Sequence, residues 1–142
     1  MQELNNLPLH HIGFAVRSLS ETQPAFEALG ANFVHESTDE QRNLDFRFAQ
    51  LGGVLIELIS PHDAELPSAV TRMVKNDSCT MYHLCLKTDN LEAELKRLKS
   101  CGFKQMCKVY SSNVYGYNAD GTFLFHKSLG LLKLIQEQKT HE

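Results

Sequence analysis

The sequence lacks any run of apolar residues long enough to cross a bilayer, which takes about 20 consecutive apolar residues. Its first residues, MQELNNLPLHH, also lack the basic segment followed by an apolar core that marks a signal peptide. We therefore expect a cytoplasmic protein with no membrane partner. Hydrophobic residues make up 42% of the chain and charged residues 22%, a balance typical of one globular domain over residues 1–142.

An excess of positive charge is also missing, because 14 basic residues face 17 acidic ones and the net charge is −3. No basic stripe is present, so we expect no nucleic-acid partner. The four cysteines, Cys79, Cys85, Cys101 and Cys107, include no CxxC pair. This spacing argues against a zinc ribbon or a thioredoxin-like site, and we expect reduced thiols.

What the sequence does contain is an internal repeat. When His83 is placed on His11, residues 83–105 align with residues 11–33 without a gap. Each copy has the pattern of a short strand, a capped helix, a glycine stop and a second strand. Such self-similarity indicates two copies of one structural module in a single chain.

The later parts of the two copies also correspond. GGVLIELIS at 52–60 resembles SLGLLKLIQ at 128–136, and this alignment places Lys133 on Glu57. Both charged residues lie in strongly apolar strands, where an unpartnered charge is costly. The repeat therefore singles out one equivalent position in each copy, occupied by an acid in the first and by a base in the second.

The module boundaries follow from the same alignment. We predict a first module over 7–60, a connector over 61–80 and a second module over 81–137. The connector is expected to contain a short helix around Pro67–Lys75.

The first strand of each copy has period-two alternation. In the first copy Ile12 and Phe14 share one face, whereas His11, Gly13 and Ala15 share the other. The bulky face is suited to packing under a helix. The opposite face carries a histidine followed by small residues, which leaves space above it, and the second copy has the same pattern.

Four segments, HHIGFAV, LGGVLIELISP, YHLCLKTDNLEAELKRLKSCGF and TFLFHKS, resemble the vicinal oxygen chelate superfamily. That group includes glyoxalase I, methylmalonyl-CoA epimerase, extradiol dioxygenases and bleomycin resistance proteins, and the likeness is strongest to the epimerases. The resemblance extends from about Leu9 to Gln136. It implies an α+β fold in which two βαβββ modules form a cupped mixed β-sheet with the helices outside, commonly as a homodimer.

The resemblance also implies a metal site. In the family, four inward-facing residues, from the first and last strands of each module, hold a divalent metal. Carried over, these positions are His11, Glu57, His83 and Lys133. The two imidazoles and the carboxylate suit Zn, Co, Ni, Mn or Fe. Lys133 is not a ligand type, so the sequence leaves open whether a metal binds.

The sequence does not decide which residue occupies the fourth position of this metal site. A shifted register of the last strand would bring Ile135 or Glu137 to it, and His126 could donate from the neighbouring strand. Lys133 could also form an ion pair with Glu57, bind an anionic ligand group, or extend outwards to solvent.

Epimerase-like proteins carry an acidic residue in a Glu-Gln pair after the first helix, which Glu40 and Gln41 resemble. The resemblance thus implies Glu40 as a proton-transfer group, with Lys133 at the position of the family's second base.

The implied function is a metal-dependent isomerase or lyase that stabilises the enolate of a small oxygen-chelating substrate. Two further hypotheses are a non-catalytic small-molecule binder that has lost the metal because of Lys133, and a metal-independent enzyme that uses Lys133 and Glu57.

Overall fold

The computed structural model describes residues 7–115 and 117–138, which fall into two compact units. The first unit is His11–Tyr82, and the second comprises residues 7–10 and 83–138. In chain order the elements are β1 (Leu9–Val16), α1 (Leu19–Ala28), β2 (Asn32–Asp39), β3 (Leu44–Leu51), β4 (Val54–Pro61), β5 (Cys79–Lys87), α2 (Leu91–Ser100), β6 (Lys104–Gln105), β7 (Tyr110–Val114), β8 (Tyr117–His126) and β9 (Gly130–Glu137). Neither helix of the described residues has the length and apolar character needed to cross a membrane.

The first unit contains a mixed sheet with the strand order β2-β3-β4-β1. Its first and last strands, β1 and β4, run parallel, and Gly13 lies opposite Glu57. The pairs β2–β3 and β3–β4 are antiparallel, and β3 places Phe48 on the other side of Glu57. Glu57 is therefore flanked by a residue with no side chain and by an aromatic ring.

The second unit repeats this arrangement with the order β5-β9-β8-β6, while β7 also pairs with β8. Again the first and last strands run parallel, and here Cys85 lies opposite Lys133. The antiparallel neighbour β8 places Phe123 on the other side of Lys133. The predicted α+β class with two repeated modules in a mixed sheet is confirmed.

The helix of the first unit packs on the bulky face of its strands, as the alternation predicts. Helix α1 begins after Ser18, whose hydroxyl accepts the backbone N–H of Glu21. It ends at Ala28 with Leu29 as the C-cap, and the next residue, Gly30, has a φ of 98°, the left-handed conformation that suits a glycine after a helix. Phe26 of the helix packs with Phe14 against a buried cluster of strand residues, namely Val16, Ile56 and Leu58.

Helix α2 covers the corresponding face of the second unit. Its leucines recur at helical spacing and form one stripe of buried side chains. The stripe packs against three leucines of β8 and β9, so that the cluster comprises Leu91, Leu95, Leu98, Leu124, Leu132 and Leu134. Consequently, among the described residues of each unit, the helix packs on the face of the sheet opposite to the one that carries the histidine.

The second module has one strand more than the predicted βαβββ pattern, because the strand after the helix is divided into β6 and β7. The break occurs at Cys107, whose carbonyl accepts the side chains of Thr122 at 2.7 Å and Gln105 at 2.8 Å. Side-chain donors thus replace a backbone donor at this point. The pairing with β8 resumes at Tyr110, opposite Gly121.

The predicted connector helix around residues 67–75 is wrong, since this stretch forms successive turns. The segment just before this stretch is held by the side chain of Asn43, and side-chain hydrogen bonds of this kind to backbone groups compete with helix formation. The Asn43 amide donates to the carbonyls of Asp63 at 3.0 Å and Leu66 at 3.1 Å, and its oxygen accepts the Asp63 N–H at 2.8 Å. The connector belongs to the first unit, whereas the predicted module limits stay a prediction.

Candidate functional site

His11 and Glu57 form a close, buried pair on the histidine face of the first unit. Their side chains approach to 3.3 Å between Nε2 and Oε1, although their residues are 1% and 7% exposed. Gly13 lies opposite Glu57 and brings no side chain to this position of the sheet. A buried carboxylate needs a partner of this kind, since isolated burial of its charge is costly.

An aromatic ring fixes the imidazole of His11. Phe48 meets it edge to face, with ring centroids 5.6 Å apart and planes at 89°. This is one of the favourable geometries for two aromatic rings. The His11 ring therefore has one aromatic contact, with Phe48, and one polar contact, with the Glu57 carboxyl group.

The second unit repeats the histidine and its ring but not the acid. His83 is 2% exposed, and its ring meets Phe123 with centroids 5.4 Å apart and planes at 86°. Phe123 lies opposite Lys133, at the position where Phe48 lies opposite Glu57. The two histidines therefore occupy matching environments, as the repeat predicts.

Lys133 is buried, with 9% of its surface exposed. Its Nζ lies 5.6 Å from the ring centroid of Tyr110 and 5.5 Å from that of Phe123. Within residues 7–115 and 117–138, no hydrogen bond or ion pair includes its ammonium group. The hypothesis in which Lys133 extends to solvent is therefore wrong, whereas the ion pair with Glu57 stays a prediction.

The register of β9 decides which of its residues takes the fourth position of the repeat. The register places Lys133 opposite Cys85, equivalent to Glu57 opposite Gly13, so the shifted register is wrong. Glu137 instead pairs with Lys87 at 3.2 Å near the end of β9.

His126 lies at the end of β8, away from a ligand position. Its ring packs on Phe103 with centroids 4.9 Å apart, and its Nδ1 accepts the backbone N–H of Ser128 at 3.0 Å. These contacts give His126 a structural role in the β8–β9 turn. They do not support a role for it as a further metal ligand.

Glu40 lies in the turn between β2 and β3 with an exposed side chain. Its backbone carbonyl accepts the N–H of Asn43 at 3.2 Å. The neighbouring Asp39 pairs with Arg42 at 2.6 Å, and this hydrogen bond lowers the pKa of the Asp39 carboxyl. The proton-transfer role of Glu40 stays a prediction, since the carboxylate has no contact with the buried pair of the first unit.

The aromatic rings beside the site were not predicted from the sequence. Letter similarity aligns FRF at 46–48 with FLF at 123–125, which would place the wrong rings on equivalent positions. In the β3–β4 turn the last pair is Leu51 with Val54, whereas in the β8–β9 turn it is His126 with Gly130. The turn of the second unit is therefore longer. The two phenylalanines could have been found by counting residues back from Glu57 and from Lys133 through the preceding turn, with the correct turn length in each case.

The chain belongs to the glyoxalase/bleomycin resistance protein/dioxygenase superfamily, whose family profile matches residues 10–125. This assignment agrees with the vicinal oxygen chelate resemblance. Among curated relatives, the human mitochondrial methylmalonyl-CoA epimerase is 25% identical over 131 residues, covering 92% of this chain and 73% of the epimerase. An uncharacterized Bacillus subtilis protein, YqjC, is 32% identical over 91 residues; the match covers 63% of this chain and spans only 64% of YqjC.

Solved structures share the fold. A methylmalonyl-CoA epimerase in complex with methylmalonyl-CoA and NH4+ superposes with a TM-score of 0.75. That match covers 96% of this chain and 98% of the epimerase chain at 18% identity. The likeness establishes a common fold, and that fold binds a small-molecule substrate in the relative.

Proposed function

We propose that the protein is a metal-dependent isomerase of the epimerase type and that His11, Glu57 and His83 hold its divalent metal. The observations that support the proposal are the buried pair of His11 and Glu57 in the first unit and the buried His83 at the matching position of the second unit. The two histidines occupy equivalent strand positions of the repeat, which is difficult to explain by chance. The epimerase relatives supply the type of reaction.

The chemistry of this donor set fits a transition metal. Two imidazole nitrogens and one carboxylate suit Zn, Co, Ni, Mn or Fe, and three protein ligands leave positions open for substrate oxygens. When bound, such a metal would act as a Lewis acid that stabilises negative charge on a substrate oxygen. Lys133 cannot be the fourth ligand in its charged form.

The protein's own residues would supply orientation, exclusion of water and proton transfer. The edge contacts of Phe48 and Phe123 fix the imidazole planes, so the ligand atoms need little reorganisation. The rings also exclude water, which strengthens electrostatic interactions inside the site. Glu40 is the proposed group that moves the proton next to the substrate carbonyl.

We propose a small acyl thioester of the methylmalonyl-CoA type as the substrate. The human relative and the solved complex carry this name, and epimerisation next to a carbonyl needs the charge stabilisation that a metal provides. A homodimer and a cytoplasmic location remain predictions that accompany this proposal.

A second candidate is a non-catalytic protein that binds a small molecule without a metal. The observation that favours it is Lys133, a buried cation at the position equivalent to Glu57. A nearby positive charge opposes the binding of a cation. The two candidates share a ligand site and differ in metal content and in proton exchange.

The experiment is deuterium exchange into methylmalonyl-CoA in deuterium oxide, followed by mass spectrometry, with protein purified without a His tag or chelator. The proposal predicts exchange that stops in His83→Ala and in chelator and that returns with added Co²⁺. His62→Ala is the matched control, because His62 pairs with Asp45 at an exposed site and should keep full exchange.

Two results would decide against the isomerase. Exchange that is insensitive to both chelator and His83→Ala would exclude a metal-dependent reaction at these residues. Absence of exchange, together with saturable binding of the substrate to metal-free protein, would establish the non-catalytic binder. The variant Glu40→Gln separately tests proton transfer, with kcat expected to fall by about 100-fold or more while KM changes little.

A further inference from the structure

We infer that Lys133 binds a carboxylate group of the ligand, so that this position recognises substrate charge. The inference rests on the proposed function in one respect, namely that the bound molecule is the substrate of that site. It goes further by assigning the chemical class of the group that Lys133 contacts. It does not require a metal to be present.

The position of Lys133 in the sheet supports the inference. Lys133 lies opposite Cys85 on β9, as Glu57 lies opposite Gly13 on β4, so its side chain occupies the counterpart of an acidic position. His83 shares the sheet face of Cys85, two residues away along β5. The ammonium therefore belongs to the histidine face of the second unit.

The surroundings of the Lys133 ammonium, as far as the structure describes them, supply neither a hydrogen-bond acceptor nor an ion pair. Lys133 is 9% exposed, and no described residue gives its Nζ a hydrogen bond or an ion pair. An ammonium carries three donors, and its burial without acceptors is unfavourable. A ligand that brings an anionic oxygen would satisfy donors and charge together.

Two aromatic rings define the shape of this cation site. Tyr110 and Phe123 lie 5.6 and 5.5 Å from Nζ, and Phe123 also contacts the ring of His83. Ring faces attract a cation but provide no strong hydrogen-bond acceptor. The ammonium is thus held in place while its hydrogen-bonding capacity remains available for a ligand.

The charge of the ligand group follows from a comparison of the two units. A lysine in place of an acid makes the local charge more positive by two elementary charges. This change disfavours the binding of a cation and favours that of an anion at this position. A carboxylate matches the ammonium by forming a charge-assisted hydrogen bond, whereas a neutral amide would leave the charge uncompensated. The aromatic walls suit the apolar part of an organic acid.

The test uses malonate as the probe and malonamide as its uncharged counterpart, with chelator-treated full-length protein at constant ionic strength. Binding is followed by NMR shifts of the backbone amides of β9 and β8. We expect saturable malonate binding that weakens about tenfold or more in Lys133→Met, the range expected for losing a hydrogen bond to a charged group. Malonamide should bind at least about tenfold more weakly than malonate.

The matched control is Lys87→Met, which removes an exposed lysine of the same unit. It should bind malonate within about twofold of the wild type, because screened surface charges contribute little. Lys133→Arg, which keeps the charge, should retain most of the affinity. If Lys133→Met does not fold, Lys133→Gln serves in its place with the same expected loss.

Three results would overturn the inference: equal malonate affinity with and without Lys133, equal affinity for malonate and malonamide, or no saturable binding to the wild type. Failure of the metal proposal looks different. In that case chelator-treated and metal-supplemented proteins would bind malonate equally, and the binding would still depend on Lys133.

Discussion

The two units of the protein share the arrangement of their first and last strands but carry opposite charges at one equivalent position. In each, the first and last strands run parallel, and a buried histidine meets a phenylalanine ring edge to face. The first unit places Glu57 at the key position, and the second places Lys133 there. Within the first unit the acid is paired with His11, whereas the Lys133 ammonium of the second unit lies beside the rings of Tyr110 and Phe123. The comparison shows that a duplicated sheet can keep its geometry while the charge of its site is reversed.

In both units a helix packs on buried leucines of the sheet. Truncating one of these leucines should have the largest effect of the substitutions considered, a loss of stability. Leu58 and Leu134 directly follow the two charged residues and are both fully buried. Truncation to alanine at either position should lower the free energy of unfolding by about 2–5 kcal/mol, because a cavity remains. Chemical denaturation measures this effect. Leu129→Ala is the control, since that leucine is 54% exposed, and a loss below about 1 kcal/mol at Leu58 or Leu134 would contradict the packing described.

A charge swap should sharpen the comparison at the site. Lys133→Glu gives the second unit the acid of the first and should raise the affinity for Zn²⁺ by about tenfold or more, since like charge is replaced by opposite charge. Competition with a chromophoric chelator measures the affinity. Lys87→Glu changes the net charge equally at an exposed position and should have a much smaller effect. An unchanged or lower affinity in Lys133→Glu would separate this position from the metal site.

Removing the cation should affect stability less than truncating a leucine. Lys133→Met should raise the free energy of unfolding in the absence of ligand by about 1–3 kcal/mol, because a buried ammonium without acceptors is replaced by an apolar side chain of similar length. Thermal unfolding measures the change. Lys87→Met should stay within about 0.5 kcal/mol of the wild type. Destabilisation by Lys133→Met would mean that the rings compensate the ammonium in full.

The smallest expected effect on stability comes from substituting Asp39 of the first unit. Its hydrogen bond with Arg42 lowers the pKa of the carboxyl below the ordinary 3.8. Because the folded-state pKa is the lower one, the stabilisation is present above the unfolded pKa and is lost as pH falls through the folded value. Asp39→Asn should therefore cost under about 1 kcal/mol at pH 7, since the pair is exposed. The stabilities of the two proteins should converge as the pH falls below the folded-state pKa of Asp39, and a difference that does not change with pH would exclude this cause.

The repeat allowed much of the fold to be predicted, because the period-two pattern and the alignment of His83 on His11 fix strands, faces and equivalent positions. The correspondence of Glu57 and Lys133 follows from the same alignment, and the strand registers agree with it. A single-residue shift would have turned each side chain to the opposite face, so this part of the pattern is strongly constrained.

What the sequence could not predict depends on contacts between distant segments. Asn43 holds the connector through its side chain, and the Thr122 hydroxyl interrupts a strand at Cys107. Neither contact has a local signal. The ring of Phe123 was missed for a related reason, since the length of one turn decides which phenylalanine lies opposite Lys133.

The claim that His11, Glu57 and His83 hold one divalent metal is tested most directly by titrating Co²⁺ into metal-free protein. Visible absorption reports the ligand field of the ion. We predict ligand-field bands that saturate at one equivalent and disappear in His83→Ala but persist in His62→Ala. A spectrum that remains that of aqueous cobalt at every ratio would contradict the claim.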